Sequence, residues 1–578
     1  MAGEPASAVA ALRAAGVETG GEVVLALSPG AALALVPVDR PDDGWSIASD
    51  DPVAVVAAVE HALRPRWAQW SGATAAELVR GGVRVAACWD IAAVHRILFG
   101  GWHAGPDLVW ARLHDLDPER MPSDGPLDLF SEVDEVGDGP TRPDGFLRPS
   151  WLAGWAGPPE RLERWAGLAA EVVALQRAHL DAIGPRAAAT ARAESATELL
   201  CVELGSDGLP VDRAVAESIV AAAIGPRPGG DVEAGQQRAV RDALVLRHAP
   251  AGTAFDLRSP GQVRSLLRSV GIEVADTRAW RLEALSGVHP VVADLLAWRK
   301  AERVATTYGY GWLDDHVDAD GRLRGTWSGA DGAAGRMTAS SGLHNMPVEM
   351  RPAVVAEPGH VFVRADLGQI EPRVLAAVSG DQALAAATAE DDLYAPVATQ
   401  LGVERELAKV AVLGAMYGQT TGRGAEALRR LHAAYPVAMA HLDAADLEGR
   451  AGRDLRTHGG RLIRLGAGAD GDAGGREDRS RAAARGRYAR NALVQGAAAE
   501  LFKIWAVTVR ARSAPLGARI VLCLHDELLV HAPVEQGPAV RDLVADCLQE
   551  AAARWAPGGE VRFVADLSVL ARWSDAKG

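Results

Sequence analysis

Cysteine is scarce. The chain has Cys88, Cys201, Cys523 and Cys547 in 578 residues, and no two of them make a CxxC pair. That usage excludes a disulfide framework or a zinc ribbon and fits free thiols in a reducing cytoplasm. No run of about 18 uncharged apolar residues occurs, so no membrane span is expected. The opening MAGEPASAVAALRAAG lacks a basic flank followed by an apolar core, so no secretory signal is expected. Lysine is also rare: only Lys300, Lys409, Lys503 and Lys577 occur, and arginine supplies nearly all of the 60 positive charges. A lysine kept in such a chain is less open to exchange as a generic surface cation. A basic excess is missing too. The net charge of −15 runs against a nucleic-acid binder, but it is a global sum, and a local cleft can differ from it. The richness in Ala, Gly and Arg suggests a high-GC bacterial genome.

What is present implies several domains, because one domain usually runs to about 100–200 residues. Two stretches organise the chain. In the first, Val361-Phe362-Val363 reads as a buried strand that ends at Asp366. Pro372 through Val378 then reads as a helix, with Pro372 tolerated in its first turn. On its own, an Asp at a strand end is structural more often than functional. The second stretch, IVLCLHDELLVHAP (520–533), is an apolar run interrupted only by His525-Asp526-Glu527. It reads as a β-hairpin with three polar residues in its turn. Carboxylates inside such apolar flanks are costly unless a cation compensates them. If Asp366 and Asp526 meet in space, they can hold two Mg²⁺ about 3.5–4 Å apart, the arrangement that drives phosphoryl transfer.

A third anchor is RELAKVAVLGAMYGQTTG (405–422). Arg405, Lys409, Leu413 and Tyr417 recur every four residues on one helical face, and a cation pair one turn apart suits a triphosphate. In isolation this reads more readily as a helix with exposed cations and a core tyrosine.

Together, in this order, the three stretches resemble DNA polymerase family A, the DNA polymerase I type. The resemblance covers roughly residues 185 to 578 well and the N-terminal part weakly. It implies an α+β multidomain fold: an RNase H-like α/β domain of the 3′–5′ exonuclease type over 1–185, then a right-hand polymerase. The right hand would comprise a helical thumb (186–330), a palm with an antiparallel sheet (331–390 and 490–578) and helical fingers (391–489). It further implies that Asp366, Asp526 and the Leu367 carbonyl bind two Mg²⁺, with Mn²⁺ as a substitute, and that Lys409 acts catalytically on the leaving pyrophosphate. Gln369, Ile370, Glu371, Tyr394, Arg405, Lys409, Leu413 and Tyr417 would bind the nucleotide, with Glu371 blocking a ribose 2′-OH. Arg336, Asn345, Arg487, Asn491, Gln495 and His525 would contact DNA. Three departures stand out. Leu367 replaces a Tyr, Leu413 an aromatic residue that stacks on the incoming sugar, and Tyr394 a His that touches the triphosphate. Arg373 is expected to pair with acidic neighbours.

Taken in order, GEVVLALS and ALALVPV read as paired strands, and VRVAACWDIAAVHRILFGG as a strand followed by a helix. No strand here carries the Asp-x-Glu that begins the family's exonuclease chemistry. Trp165 and Ala169 stand where the resemblance places a Tyr and an Asp. Asp90 alone could survive from that set, and it reads better as a helix N-cap. A proofreading fold without its chemistry is therefore expected, and a 5′ nuclease is not expected. The segment 105–145 reads as a long irregular acidic connection. In FDLRSPGQVRSLLRSVGIEV, Ser259 and Gln262 form a capping box around Pro260. A long helix follows from His289 through Leu313. Arg258, Arg264, Arg268, Arg299, Lys300 and Arg303 are candidate phosphate contacts, or equally an ordinary solvated face. GAGADGDAGGREDRS reads as a Gly/Asp loop.

The expected activity is template-directed DNA polymerisation on primer-template DNA with dNTPs, without functional proofreading. The expected state is a monomer in the cytoplasm, associated with the nucleoid and not with membrane. A catalytically weakened, DNA-binding relative is the alternative, and a two-metal nuclease is a third reading.

Overall fold

The computed structural model describes residues 3–122, 138–152, 158–418, 425–466 and 476–576. Two compact units form. The first comprises 1–207, 326–338 and 361–569; the second comprises 208–325, 339–360 and 570–578.

The first unit begins with α1 (Glu4–Ala14) and a five-stranded sheet: β1 (Glu22–Ser28), β2 (Ala32–Pro37), β3 (Trp45–Ala48), β4 (Arg66–Gln69) and β5 (Ala87–Asp90). Their order is β3-β2-β1-β4-β5, with β1, β2 and β3 antiparallel and β4 and β5 running parallel to β1. Helices α2 (Pro52–Leu63), α3 (Gly72–Arg80), α4 (Ile91–Phe99), α5 (Pro106–Leu113), α6 (Pro149–Leu152), α7 (Pro159–Ile183) and α8 (Pro185–Asp207) complete this domain. Side chains alternate across a strand, and β1 uses both faces. Val23, Leu25 and Leu27 join Leu12 of α1 and Val55 and Val59 of α2 in one core. Val24 and Ala26 join Trp165, Ala169 and Val173 of α7 in the other. The expected irregular connection contains a helix after all: Pro106 opens α5 at a position where its missing N–H costs nothing. Residues 123–137 of that segment lie outside the described residues.

The second unit contains β6 (Leu209–Pro210), α9 (Arg213–Ile224), α10 (Asp231–Leu246), α11 (Pro260–Ser269), α12 (Ala279–Glu283), α13 (Pro290–Thr307), α14 (Tyr310–His316) and β7 (Arg322–Leu323). Leu266, Leu267, Leu282, Val291 and Leu295 form its core. Ser259 caps α11 through the Gln262 N–H, but the capping box does not close. The Ser259 N–H already donates to the Asp256 carbonyl, so Gln262 Oε1 accepts from the Asp256 N–H at 2.7 Å instead. The helix expected to run through Leu313 breaks after Thr307 and restarts at Tyr310.

The rest of the first unit holds the hairpin β8 (Trp327–Asp331) and β9 (Arg336–Ala339), then β10 (His360–Leu367), α15 (Ile370–Ser379) and α16 (Gln382–Ala387). A helical layer follows: α17 (Tyr394–Leu401), α18 (Arg405–Met416), α19 (Ala425–Ala434) and α20 (Pro436–Arg450). Then come β11 (Leu455–Arg456), β12 (Leu462–Ile463), α21 (Arg476–Ser513), β13 (Arg519–Leu524), β14 (Glu527–Pro533), α22 (Gly537–Trp555) and β15 (Ala565–Leu570). Strands β13-β14-β10-β15 make one sheet. Within the Gly/Asp stretch, 467–475 lie outside the described residues, and 476–480 already belong to α21. From Arg479 onward α21 is long and apolar enough to cross a membrane, but 83% of its apolar window is buried inside the molecule. It serves as a core helix.

Arg373 corrects an expectation. It pairs with no acid among the described residues. Its fully buried guanidinium donates to the carbonyls of Gly368 (3.0 Å), Thr388 (2.7 Å), Glu390 (2.7 Å), Asp391 (2.8 Å) and Arg562 (2.5 Å). Burial, reinforced by Arg562, brings it down to about 10. The loop after α16 turns back without forming ladder bonds, so its carbonyls need a donor, and a planar fork with five N–H groups meets that need. Lysine has three donors and no fork. Arg373→Lys is expected to cost about 2–3 kcal/mol, read as a lower urea midpoint.

Candidate active site

The site is assembled where β10 lies beside β14 in the sheet. The Leu367 N–H, at the end of β10, donates to the carbonyl of Asp526 in the β13–β14 turn at 2.9 Å. That turn is tighter than expected. Only His525 and Asp526 lie outside the strands, and Glu527 already pairs with Leu524 as the first residue of β14. His525 (φ 37°) and Gln369 (φ 55°) are non-glycine residues in the left-handed region, one on each side of the contact. Such backbone costs about 1–3 kcal/mol each and persists only where the surroundings impose it.

The result is a concentration of negative charge. Burial, and then the charge of Asp526, push the Asp366 carboxyl up to about 6. Burial, with Glu527 and Glu371 adding to it, brings Asp526 to about 6 as well. Sequence reasoning missed the residue that partly offsets this charge, Arg364. It donates to Asp366 (2.6 Å) and Glu527 (2.7 Å) and reaches Asp566 at 3.3 Å. Its signal was available: Arg364 stands two residues before Asp366 on a strand, hence on the same face. Glu527 is buried in that pair.

A cavity of about 410 Å³ adjoins the turn. It is lined by Arg336, Gln369, Ile370, Glu371, Pro372, Tyr394, Leu413, Tyr417, Ala498, Ala499, His525 and Asp526. Nine of the residues expected at the site therefore converge there. Glu371 is their hub: Oε1 accepts from Arg336 (2.7 Å) and Oε2 from the Tyr417 hydroxyl (2.9 Å). Tyr417 is also hydrogen-bonded to Gln495, and burial followed by the Glu371 charge pushes its hydroxyl up to about 12. Burial lowers His525 below the usual histidine range, and the Arg336 charge adds to this. Gln369 spans Asp392 (3.0 Å) and the Leu393 N–H (2.8 Å). Asp392 in turn holds Arg405 at 2.5 Å.

Lys409 is exposed on α18 and has no ion-pair partner among the described residues, unlike Arg405, which pairs with Asp392 and Glu406. Arg487 of α21 packs its stem against Gly418, where a Cβ would approach the Arg487 Cγ to 2.8 Å. Asn491 is half-buried, with Oδ1 unpartnered. The Leu367 side chain is buried. Asn345 belongs to the second unit. Of the candidate phosphate contacts there, Arg264 and Arg268 are exposed and unpaired among the described residues. Arg258 is held by Asp242 and Glu302, Arg299 by the Thr277 carbonyl, Lys300 by Glu349 and Arg303 by the Asn345 carbonyl.

The donor chemistry at the turn fits a divalent cation. Two half-buried carboxylates and a neighbouring main-chain carbonyl are hard oxygen ligands of the kind Mg²⁺ takes. Burial raises both carboxyls to about 6, and Arg364 beside Asp366 does not bring that carboxyl back to the ordinary range.

The N-terminal domain differs. Asp90 is buried, accepts the Ala93 N–H as the cap of α4 and accepts from Gln69. Burial, followed by the charge of Glu198, raises it to about 7. Trp165 and Ala169 are core residues, and Trp165 stacks on Trp70 at 4.7 Å.

The family model for DNA polymerase family A matches residues 236–575. DNA polymerase I of Chloroflexus aurantiacus is 33% identical over 352 residues, which cover 54% of this chain and 37% of that protein. The thermostable DNA polymerase I of Thermus aquaticus is 31% identical over 356 residues, 55% of this chain and 42% of that one. The matched part thus spans about two fifths of these relatives' length. A solved structure, the POL domain of Pol1 from M. smegmatis in complex with DNA primer-template and dNTP, superposes with a TM-score of 0.70. It is 21% identical, with 99% of this chain and 98% of that one covered, and so shares the fold.

Because both carboxyls titrate higher in the folded protein than in the unfolded chain, stability is lost as pH rises from about 4 through about 6. In the presence of a chelator, Asp526→Asn should therefore melt about 2 °C above wild type at pH 8. The gain should shrink to nothing as pH falls toward 4. Circular dichroism melts across pH check both.

Proposed function

The chain belongs to DNA polymerase family A, and from that premise we propose that it extends a primer 3′ end along a DNA template, using dNTPs and without proofreading. The observation that carries this reading is the meeting of Asp366 and Asp526 through the Leu367 N–H to Asp526 carbonyl bond. Asp366, Asp526 and the Leu367 carbonyl would hold Mg²⁺, or Mn²⁺ in its place. Such ions, when bound, supply charge neutralisation for an in-line phosphoryl transfer.

The remaining work falls to the chain's own side chains. Lys409, exposed and unpaired among the described residues, is placed on α18 to meet triphosphate charge and to give a proton to the leaving pyrophosphate. Arg405 reaches phosphate only by exchanging its Asp392 partner. Glu371, fixed by Arg336 and Tyr417, presents a rigid wall to the 2′ position of an incoming sugar. Leu413 lines the same cavity without an aromatic face, which weakens sugar stacking. Arg336, His525, Gln495, Asn491 and Arg487 serve the primer-template, together with Asn345 of the second unit.

Loss of proofreading is supported by Asp90 serving as a buried cap and by Trp165 and Ala169 filling a core. Strand β1, EVVLALS, adds only apolar residues between Glu22 and Ser28. The four cysteines are free and buried, in keeping with a cytoplasmic, nucleoid-associated monomer. One observation favours a second reading, a DNA-binding relative with weakened catalysis: Arg364 already engages Asp366 at 2.6 Å, where a metal would compete with it.

Primer extension separates the two. Wild type with Mg²⁺ or Mn²⁺ should extend a labelled primer, Asp526→Ala should not, and labelled single strands should keep their 3′ ends. A wild type that binds primer-template without extending it overturns the reading. Glu371→Ala should raise ribonucleotide relative to deoxyribonucleotide incorporation by roughly 10–200-fold. Unchanged sugar selectivity would remove Glu371 from that role.

A further inference from the structure

Glu194 lies on α8, in the domain that lacks nuclease chemistry, and is 2% exposed. It holds two cations. Lys503 of α21, 1% exposed, pairs with one carboxylate oxygen, and Arg461 lies 2.8 Å from the other. Both cations converge on a single glycine. Lys503 Nζ donates to the carbonyls of Gly335 (2.6 Å) and Gly329 (3.2 Å), so all three of its donors are used. The guanidinium of Arg461 covers Gly335 so closely that a Cβ there would meet Nε at 2.5 Å. Gly335 itself is in the left-handed region, at φ 65°.

The next residue is Arg336, which donates to Glu371 in the cavity described above. Lys503 therefore ties the end of the β8–β9 turn, from which Arg336 departs, to the middle of β8. A buried ion pair contributes little net stability, but removing one partner leaves a charge stranded. A pair of this kind is retained more readily for placement than for stability.

We propose that Glu194 and Lys503 are positioning residues for the polymerase site. Through them the N-terminal domain sets the point from which Arg336 reaches Glu371, and so contributes to nucleotide selection. The proposal rests on the polymerase reading, but one of its tests does not.

The first test is hydrogen exchange by mass spectrometry on Glu194→Gln and on Lys503→Arg. Lys503→Arg keeps the charge, but its planar fork cannot serve the same two carbonyls and the carboxylate. Peptides covering 326–338 should exchange faster in both variants, while those covering the β13–β14 hairpin stay as in wild type. The second test is kinetic. Each variant should lose about 10–100-fold in kcat/KM for dNTP, as small misplacements do. Each should also discriminate less against ribonucleotides.

If the effect passes through Arg336, the double variant E194Q/R336A should be no worse than R336A, a non-additivity that independent sites do not show. Multiplicative losses, or folded Lys503→Arg with wild-type exchange over 326–338, overturn the proposal. A wild type that extends no primer overturns the polymerase reading instead, and the exchange experiment still decides this one.

Discussion

The pairing of β10 with β14, closed at its end by the hydrogen bond from the Leu367 N–H to the Asp526 carbonyl, sets the electrostatics of the site. That bond joins the end of β10 to the turn of the β13–β14 hairpin. Sheet geometry then leaves the two carboxylates no freedom to separate. Each strand is buried, the turn has only two residues, and His525 is held at φ 37° to close it. Burial raises the proton affinity of both, the charge of Asp526 adds to this at Asp366 and those of Glu527 and Glu371 at Asp526, and each carboxyl is pushed up to about 6. The fold thus stores an unfavourable interaction at one spot. Such a spot is stabilised by whatever brings positive charge to it. Within the chain this is Arg364, the residue that faces Asp366, Glu527 and Asp566 at once.

The same constraint explains how the surrounding groups are arranged. Glu371 would add a further anion if it were free, but both of its oxygens are occupied, by Arg336 and by Tyr417. Asp392 is similarly engaged by Arg405 and Gln369. Burial pushes its carboxyl upward, but the Arg405 hydrogen bond and charge, the Tyr394 N–H and Gln369 together outweigh this and hold it below the ordinary range. Among the described carboxyls around the turn, Asp366 and Asp526 are the two pushed upward, to about 6. Lys409 is the complementary case, a cation left without a partner among the described residues. An acyclic polyanion with bound divalent ions matches both deficits, which is why the charge pattern and the family membership point the same way.

Much of this was legible in the residues. The apolar runs GEVVLALS and ALALVPV marked β1 and β2 as paired strands, and apolar runs broken by polar residues located Asp366 and Asp526. Four-residue spacing placed Arg405, Lys409 and Leu413 along α18, with Tyr417 at its end. What was not legible depended on contacts between distant segments. Arg373 looked like a salt-bridge partner, yet it serves five carbonyls from residues 368, 388, 390, 391 and 562, and no local pattern announces a loop that needs a donor. The capping box at Ser259 failed because its N–H was already taken by Asp256, a competition decided by one turn of backbone. The helix in the acidic connection was hidden by proline and glycine, although a proline at the first helical position is permissive.

The scarcity of lysine gains meaning in the folded molecule. With arginine as the default cation, a lysine at 503 needs a reason that arginine cannot meet. The site supplies one: a fully enclosed pocket with two carbonyls and one carboxylate arranged around a point. A compact ammonium with three tetrahedral donors fits such a set, and a flat guanidinium does not. Arg461 meets the opposite need, where a planar group must lie across Gly335 while touching the second oxygen of Glu194. One carboxylate from the N-terminal domain is thereby shared by two cations of different shape. Both bear on the residue that precedes Arg336. The N-terminal domain, whose Asp90 caps α4, thereby reaches the β8–β9 turn of the same unit through Lys503 and Arg461.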